Sequence, residues 1–251
     1  MENTLWWATY FDDLYLELSQ QLHASRREEG QQQAQAAVRM IRLVPPARVL
    51  DLCCGFGRHA IPLAQMGFAV TGLDYSDDLL ARAREDAAHL DIDVEFRRGD
   101  MRELPWADAF DGCVMLGGSF GVFEQEAENE RVFHAVAAAL KPGGRFLLDT
   151  ANRDRVVCDY EPHQRQEIGD WVRCVEYRFD PVSGVSRSHE RWLRGEECIE
   201  RTQRRRLYTA TELDSMLRRA GLTPVAYYGG YDGGEFTTRS HRILVVTEKD
   251  G

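Results

Sequence analysis

Short apolar runs separated by helical patterns fill the first 150 residues. Val49-Leu50-Asp51-Leu52, Phe68 to Leu73, Cys113-Val114-Met115-Leu116 and Phe146-Leu147-Leu148-Asp149 are nearly continuous apolar stretches, as strands buried on both faces require, while Ile92, Val94 and Phe96 alternate. Between the strands, Ala60, Ile61, Leu63 and Ala64, then Leu79, Leu80, Ala83, Ala87 and Leu90, then the stretch from Ala127 to Leu140, repeat at helical spacing. Strand and helix taken in turn predict a doubly wound α/β domain on a mostly parallel sheet.

The punctuation agrees. Cys53-Cys54-Gly55-Phe56-Gly57 is a tight turn between the first strand and its helix, and glycine there lets a ligand approach the main chain. Ser76-Asp77-Asp78 starts a helix, Lys141-Pro142-Gly143-Gly144 stops one, and Thr209-Ala210-Thr211-Glu212 reads as a capping box. Val225 to Tyr231 and Arg242 to Thr247 form the last two strands; a glycine-rich loop without a helix joins them, so they should pair antiparallel. The count is seven strands with a terminal hairpin.

Two segments break the alternation. Before the core, Leu5-Trp6-Trp7 leads into one greasy helical face of Tyr10, Phe11, Leu14, Tyr15, Leu18 and Leu22, then Gly30, a glutamine-rich stretch, a helix from about Ala34 to Leu43 and the Pro45-Pro46 break. This face either packs on the domain surface or closes over a site. After Asn152, Trp171 to Phe179, Val185 to Leu193 and Cys198 to Leu207 read as three β-strands. They carry Arg173, Arg178, Arg187, Arg191, Arg201, Arg204, Arg205 and Arg206, either a solvated face or a roof that offers an arginine to an anionic group. The expected organisation is a helical lid over residues 1–44, a core over 45–151 and 207–251, and a β insertion over 152–206.

Charge narrows the chemistry. With 31 Lys and Arg against 41 Asp and Glu, the net charge of −10 disfavours a nucleic-acid partner and favours a small molecule. The six cysteines show no C-x-x-C pair or regular spacing, so neither zinc nor disulfides are expected. Neither a leader pattern nor an apolar run of about 20 residues stands out, which points to a cytoplasmic protein without membrane contact. A homo-oligomer is compatible with all of this.

Gly55-x-Gly57-x-x-Ala60 also fits the dinucleotide fingerprint, so the turn alone leaves two cofactor classes open. The ordered set separates them. The first-strand motif Val49 to Gly57, the acid Asp74 at the second strand end, Gly99-Asp100-Met101 after the third strand and Lys141-Pro142-Gly143-Gly144 before the fifth resemble the class I S-adenosylmethionine-dependent methyltransferases. The one departure is Cys53, where that motif has its first glycine. Such a resemblance implies a Rossmann-like fold and in-line transfer of a methyl group from S-adenosylmethionine, with S-adenosylhomocysteine as product, to a nitrogen or oxygen of a small molecule. On it, Cys53, Gly55, Phe56 and Gly57 pass under the methionine part and Arg58 holds its carboxylate. Asp74, with Tyr75 beside it, binds the ribose, Asp100 and Met101 bind adenine, and Leu116 and Gly117 border the methyl. Tyr10, Tyr15 and Phe120 form the acceptor pocket as the candidate catalytic set. His59 sits where a base could be imagined but a packing role is the simpler reading. The rival readings are a nicotinamide-dependent oxidoreductase, an RNA methyltransferase, and a cofactor-binding module without turnover.

Overall fold

The computed structural model describes residues 6–22 and 26–251; Leu5 and the side chain of Leu22 lie outside what it describes. Its first strand, β1 (Arg48–Leu52), lies inside a seven-stranded sheet. On one side lie β2 (Ala69–Asp74) and then β3 (Glu95–Arg98). On the other lie β4 (Phe110–Met115), β5 (Leu140–Ala151) and the two last strands of the chain. Strands β1 to β5 run parallel, so all five end at one edge, where an open α/β sheet binds its ligands.

Helices α3 (Arg26–Met40), α4 (Ala60–Gln65) and α5 (Asp77–His89) cover one face, burying Ala34, Ile41, Leu63 and Leu80 against Val49 and Val114. Helix α6 (Glu126–Ala139) covers the other, with Phe133 and Val136 packed on Phe146. Each such side chain contributes about 1.5–3 kcal/mol of transfer free energy.

Several boundaries differ from the sequence reading, each for a local reason. Ile92 and Val94 precede β3 because the Ile92 amide is spent on the Ala87 carbonyl at the end of α5. Helix α3 begins eight residues before Ala34, and Gly30 and the glutamines are helical. The expected lid helix is two, α1 (Trp6–Tyr10) and α2 (Asp13–Leu22), because Asp12 turns the chain and accepts the Tyr15 amide at 2.9 Å.

The insertion is larger than three strands. After α7 (Arg153–Cys158), β6 (His163–Ile168), β7 (Trp171–Asp180), β8 (Val185–Arg194) and β9 (Glu197–Arg206) form a separate antiparallel sheet. Its Ile168, Trp171 and Trp192 close a small core with Leu14 and Leu18 of α2, so the lid and the insertion pack as one cap. Then α8 (Ala210–Arg219) starts on the capping box read from Thr209 and Glu212. Strands β10 (Leu222–Tyr228) and β11 (Arg242–Lys249) close the main sheet, antiparallel to each other as expected, with β11 also antiparallel to β5.

Candidate active site

The glycine turn after β1 carries three positive φ angles, at Cys53 (62°), Gly55 (54°) and Gly57 (79°). Cys53 thus holds the left-handed backbone its position demands despite its Cβ. The turn is tied down from three directions. Asp74, at the tip of β2, accepts the Gly55 amide at 2.8 Å and the Ser76 amide at 3.0 Å. Leu73 takes the Cys54 amide at 3.1 Å. From behind, α3 supplies Gln33, whose Oε1 lies 2.9 Å from His59 Nε2, and Glu29, 3.9 Å from Arg58. Gly30 lets α3 come this close, since a Cβ there would stand 2.6 Å from the Arg58 carbonyl oxygen.

Above the turn opens a cavity of about 190 Å³. Cys53, Gly55, Phe56, Arg58, Asp74, Tyr75, Asp100, Met101, Leu116 and Gly117 line it, together with Tyr15. These residues come from the ends of β1 to β4 and from the cap. Gly57 lines no part of it; a Cβ there would crowd Ile61 at 3.1 Å and Phe96 at 3.2 Å, so this glycine serves the packing of α4.

Two members of the expected acceptor set lie elsewhere. Phe120 is buried in the core, stacked on Phe133 at 4.5 Å, because the left-handed Gly117, Gly118 and Gly121 turn its ring inward. The Tyr10 hydroxyl points into the insertion, where it meets Gln203 at 2.5 Å and Glu190 at 3.4 Å. In their place Trp7 and Phe11 of the lid and Phe123 after β4 face the cavity. Trp7 packs edge-on against Tyr75 and Phe123 at 4.9 and 5.5 Å, and the Phe11 carbonyl accepts the Ser76 hydroxyl at 2.6 Å. Aromatic residues in a lid segment gave the only sequence signal for this wall.

The electrostatics are those of a site for a cationic ligand. Asp51, buried within β1, has an Oδ2 without a hydrogen-bond partner among the described residues. Burial first, then the nearby Asp74 charge, pushes its carboxyl up to about 7, against the pull of Arg58 and the Ala60 amide. Burial also raises Asp74, which its amide partners moderate. Asp100 differs: burial opposes its charge, but the hydrogen bonds and charge of Arg102 hold it below the usual carboxylate range. Both Asp100 oxygens are already engaged by Arg102, at 3.0 Å and 2.5 Å. Burial, then the nearby aspartate charges, pushes the Cys53 and Cys54 thiols up, which disfavours their thiolates. His59, buried and bonded to Gln33, also lines part of the cavity wall. Among the described residues no cluster of metal-ligating side chains occurs.

One unanticipated carboxylate completes the edge. Asp149, buried at the end of β5, accepts the Gly117 amide at 2.8 Å, the Tyr231 hydroxyl at 2.7 Å and Arg242 Nε. It fixes the left-handed Gly117 that borders the cavity.

These groups suit S-adenosylmethionine. Asp51, in the strand that leads into the turn, keeps a buried Oδ2 with no hydrogen-bond partner among the described residues. Asp74 keeps free lone pairs for a diol, since a carboxylate accepts more bonds than the two it has. Leu79 and Met101 offer apolar faces to a ring. Fold and cavity define an adenosyl-sulfonium-binding α/β enzyme.

Comparison with known proteins agrees. Residues 49–144 match the sequence model of a methyltransferase domain. The chain is 30% identical over 216 residues to the cypemycin N-terminal methyltransferase of a Streptomyces species, covering 80% of this chain and 82% of the relative. Solved structures with this fold include SAM-bound CalS10, an amino pentose methyltransferase from Micromonospora echinaspora (TM-score 0.74, 25% identity, 94% of this chain and 96% of that one). Another is the glycopeptide N-methyltransferase MtfA with S-adenosylhomocysteine (TM-score 0.60, 26% identity, 86% of each). The chain belongs to the class I S-adenosylmethionine-dependent methyltransferases. Among the described residues no helix is long and apolar enough to cross a membrane.

Proposed function

We propose that this methyltransferase acts on an amine nitrogen of a small molecule. The observation that carries the reading is the aromatic lining of the cavity, Trp7, Phe11 and Tyr15 from the cap with Phe123 from the segment after β4. A cap of this kind excludes water and encloses a compact acceptor, which is what an in-line displacement needs most. The bound cofactor supplies the electrophilic methyl group. In this reading the residues given above for the resemblance that line the cavity hold it, Gly57 excepted, and Asp51 faces its ammonium group. Asp149 holds the Gly117 main chain at the methyl, and Tyr15 is the hydroxyl-bearing side chain on the acceptor wall. Of the relatives reported above, one is named a glycopeptide N-methyltransferase, one acts at the N-terminus of cypemycin and one on an amino pentose, which supports an amine.

The test is transfer of a labelled methyl group from S-adenosylmethionine to a panel of amino sugars, amino acids and peptide amines beside phenols and RNA. Label appearing only on amines is the expected result. Turnover on RNA, or on phenols alone, overturns the assignment.

A further inference from the structure

The glycine-rich loop between β10 and β11 lies outside the lining of the cofactor cavity, yet it is built to hold one side chain in place. Gly229 donates to the Gly234 carbonyl at 2.9 Å and Gly233 to the Gly230 carbonyl at 3.2 Å, so the chain folds back on itself around Tyr231. A Cβ at Gly229 would stand 2.3 Å from Ser240 Oγ and 2.9 Å from the Glu235 carbonyl oxygen, which is why the fold-back needs glycine there. Asn152, buried just after β5, staples the loop: its Nδ2 donates to the carbonyls of Thr237 at 3.1 Å and Ser240 at 2.8 Å.

What Tyr231 touches is the end of β5. Asp149 stands opposite Leu244 of β11, and Arg242, two residues along the same strand face, reaches it diagonally and supplies the counter-charge at Oδ1. Oδ2 is left to two neutral donors, the Tyr231 hydroxyl at 2.7 Å and the Gly117 amide at 2.8 Å. The carboxylate is therefore compensated without the tyrosine. What the hydroxyl adds is direction: with Arg242 on one oxygen and Tyr231 on the other, the plane of the carboxylate is fixed, and with it the amide bonded to Oδ2. That amide belongs to the left-handed pair Gly117 (84°) and Gly118 (82°), a backbone with no side chain of its own to restrain it. The insertion grips the same pair from the other side, Arg205 Nη1 donating to the Gly118 carbonyl at 2.5 Å. Gly117 lines the cofactor cavity and lies against Arg58, since a Cβ there would meet Arg58 Nη2 at 3.4 Å. Burial first, then the charge of Asp149 and the bond to it, pushes the Tyr231 hydroxyl up, so it stays a donor at neutral pH.

We infer that Tyr231 is a positioning residue of methyl transfer: through the Asp149 oxygen they share, it sets the Gly117 main chain that borders the methyl. This rests on the methyltransferase reading and extends it to a loop outside the cavity. In-line displacement is sensitive to placement, an error of about 1 Å costing up to about 100-fold in rate, so a glycine pair at the methyl needs a brace from elsewhere in the chain.

The test is Tyr231→Phe, whose ring still fills its place. S-adenosylmethionine and S-adenosylhomocysteine differ only at the methyl-bearing sulfur, so a brace that acts at the methyl shows in the ratio of their affinities. In calorimetric titration the variant should weaken S-adenosylmethionine by about three- to tenfold, the net worth of one hydrogen bond, and S-adenosylhomocysteine by less than about twofold. The Gly117 amide proton resonance should also move in the variant with no ligand present. Equal losses of the two ligands, no loss of either, or an unmoved Gly117 resonance in the folded variant overturns the proposal. Should Tyr231→Phe not fold, a ring-fluorinated tyrosine at position 231 keeps the hydroxyl, strengthens its bond to Asp149 and must move the Gly117 resonance; an unmoved one overturns the proposal equally. A parent protein that binds neither ligand counts instead against the methyltransferase reading, while the Gly117 resonance still decides whether Tyr231 acts on Gly117 through Asp149.

Discussion

The Asp74 carboxylate accepts the Gly55 amide at 2.8 Å, so the tip of β2 and the turn after β1 form one object. The same side chain that lines the cavity therefore also holds the main chain of the glycine turn.

Replacing Asp74 by alanine removes both roles and leaves the Gly55 and Ser76 amides without their acceptor. Hydrogen bonds to a charged group contribute about 1.5–3 kcal/mol each, so S-adenosylhomocysteine affinity should fall by about 10- to 100-fold. Calorimetric titration of the folded variant checks this, and affinity equal to the parent's would remove Asp74 from the site.

Asp51 gives the protein a pH dependence with a definite sign. Its folded-state carboxyl is pushed from 3.8 up to about 7. Between those values the folded chain holds a proton that the unfolded chain has lost, so stability is fully present below the unfolded value and declines as pH rises through about 7. The decline should be of order 1–4 kcal/mol and should vanish in Asp51→Asn. A ligand ammonium reverses the preference by favouring the ionised form, so cofactor affinity should rise from pH 6 to pH 8 with release of a proton. Melting curves across pH, and calorimetry in buffers of different ionisation enthalpy, read the two effects. A flat affinity profile would separate Asp51 from the ammonium group.

Gly30 tests the grip of α3 on the turn. In an exposed helix, glycine to alanine should stabilise by about 1 kcal/mol. Here the new Cβ would lie 2.6 Å from the Arg58 carbonyl oxygen, and backbone cannot yield as a flexible side chain does. Overpacking of that kind costs about 1–3 kcal/mol, so the clash should win. Gly30→Ala should lower the melting temperature and weaken S-adenosylhomocysteine together; a more stable protein with unchanged affinity would show that α3 is free to shift.

What was legible in the sequence followed from local chemistry. The run Val49 to Leu52, the glycine turn and the acid at the next strand end have no other comfortable arrangement, and the edge of the sheet brings Asp74, Asp100 and Gly117 to one cavity as their strand-end positions imply. The start of α3 was hidden because Gly30 and the glutamines lack helical apolar spacing; contact with Arg58 and His59 holds them instead. Strand β6, His-Gln-Arg-Gln-Glu-Ile, has no apolar alternation and exists through its pairing with β7. Phe120 was misjudged because an aromatic after a glycine pair can face either side, and only the left-handed angles decide. Asp51 and Asp149 were visible as carboxylates inside apolar runs, but the partners that give them meaning, Arg58, Gly117, Tyr231 and Arg242, come from distant parts of the chain.

The junction of lid and insertion supplies the last prediction. Glu190, 1% exposed, pairs with Arg173 at 2.8 Å and also accepts Trp192 Nε1 at 3.1 Å, Gln203 at 2.9 Å and the Tyr10 hydroxyl. Truncating it to alanine leaves a half-buried guanidinium without its counter-charge, a loss that in buried pairs reaches about 3–5 kcal/mol and should be smaller here because Arg173 keeps some solvent. The cap has its own small core of Trp171, Trp192 and Leu18, apart from the main sheet, so the damage should stay local. Hydrogen exchange in Glu190→Ala should rise across α1, β8 and β9 while β1, β4 and β5 keep the parent's protection, and Glu190→Gln should fall between. Uniform loss of protection in both sheets would show instead that cap and core unfold as a single cooperative unit.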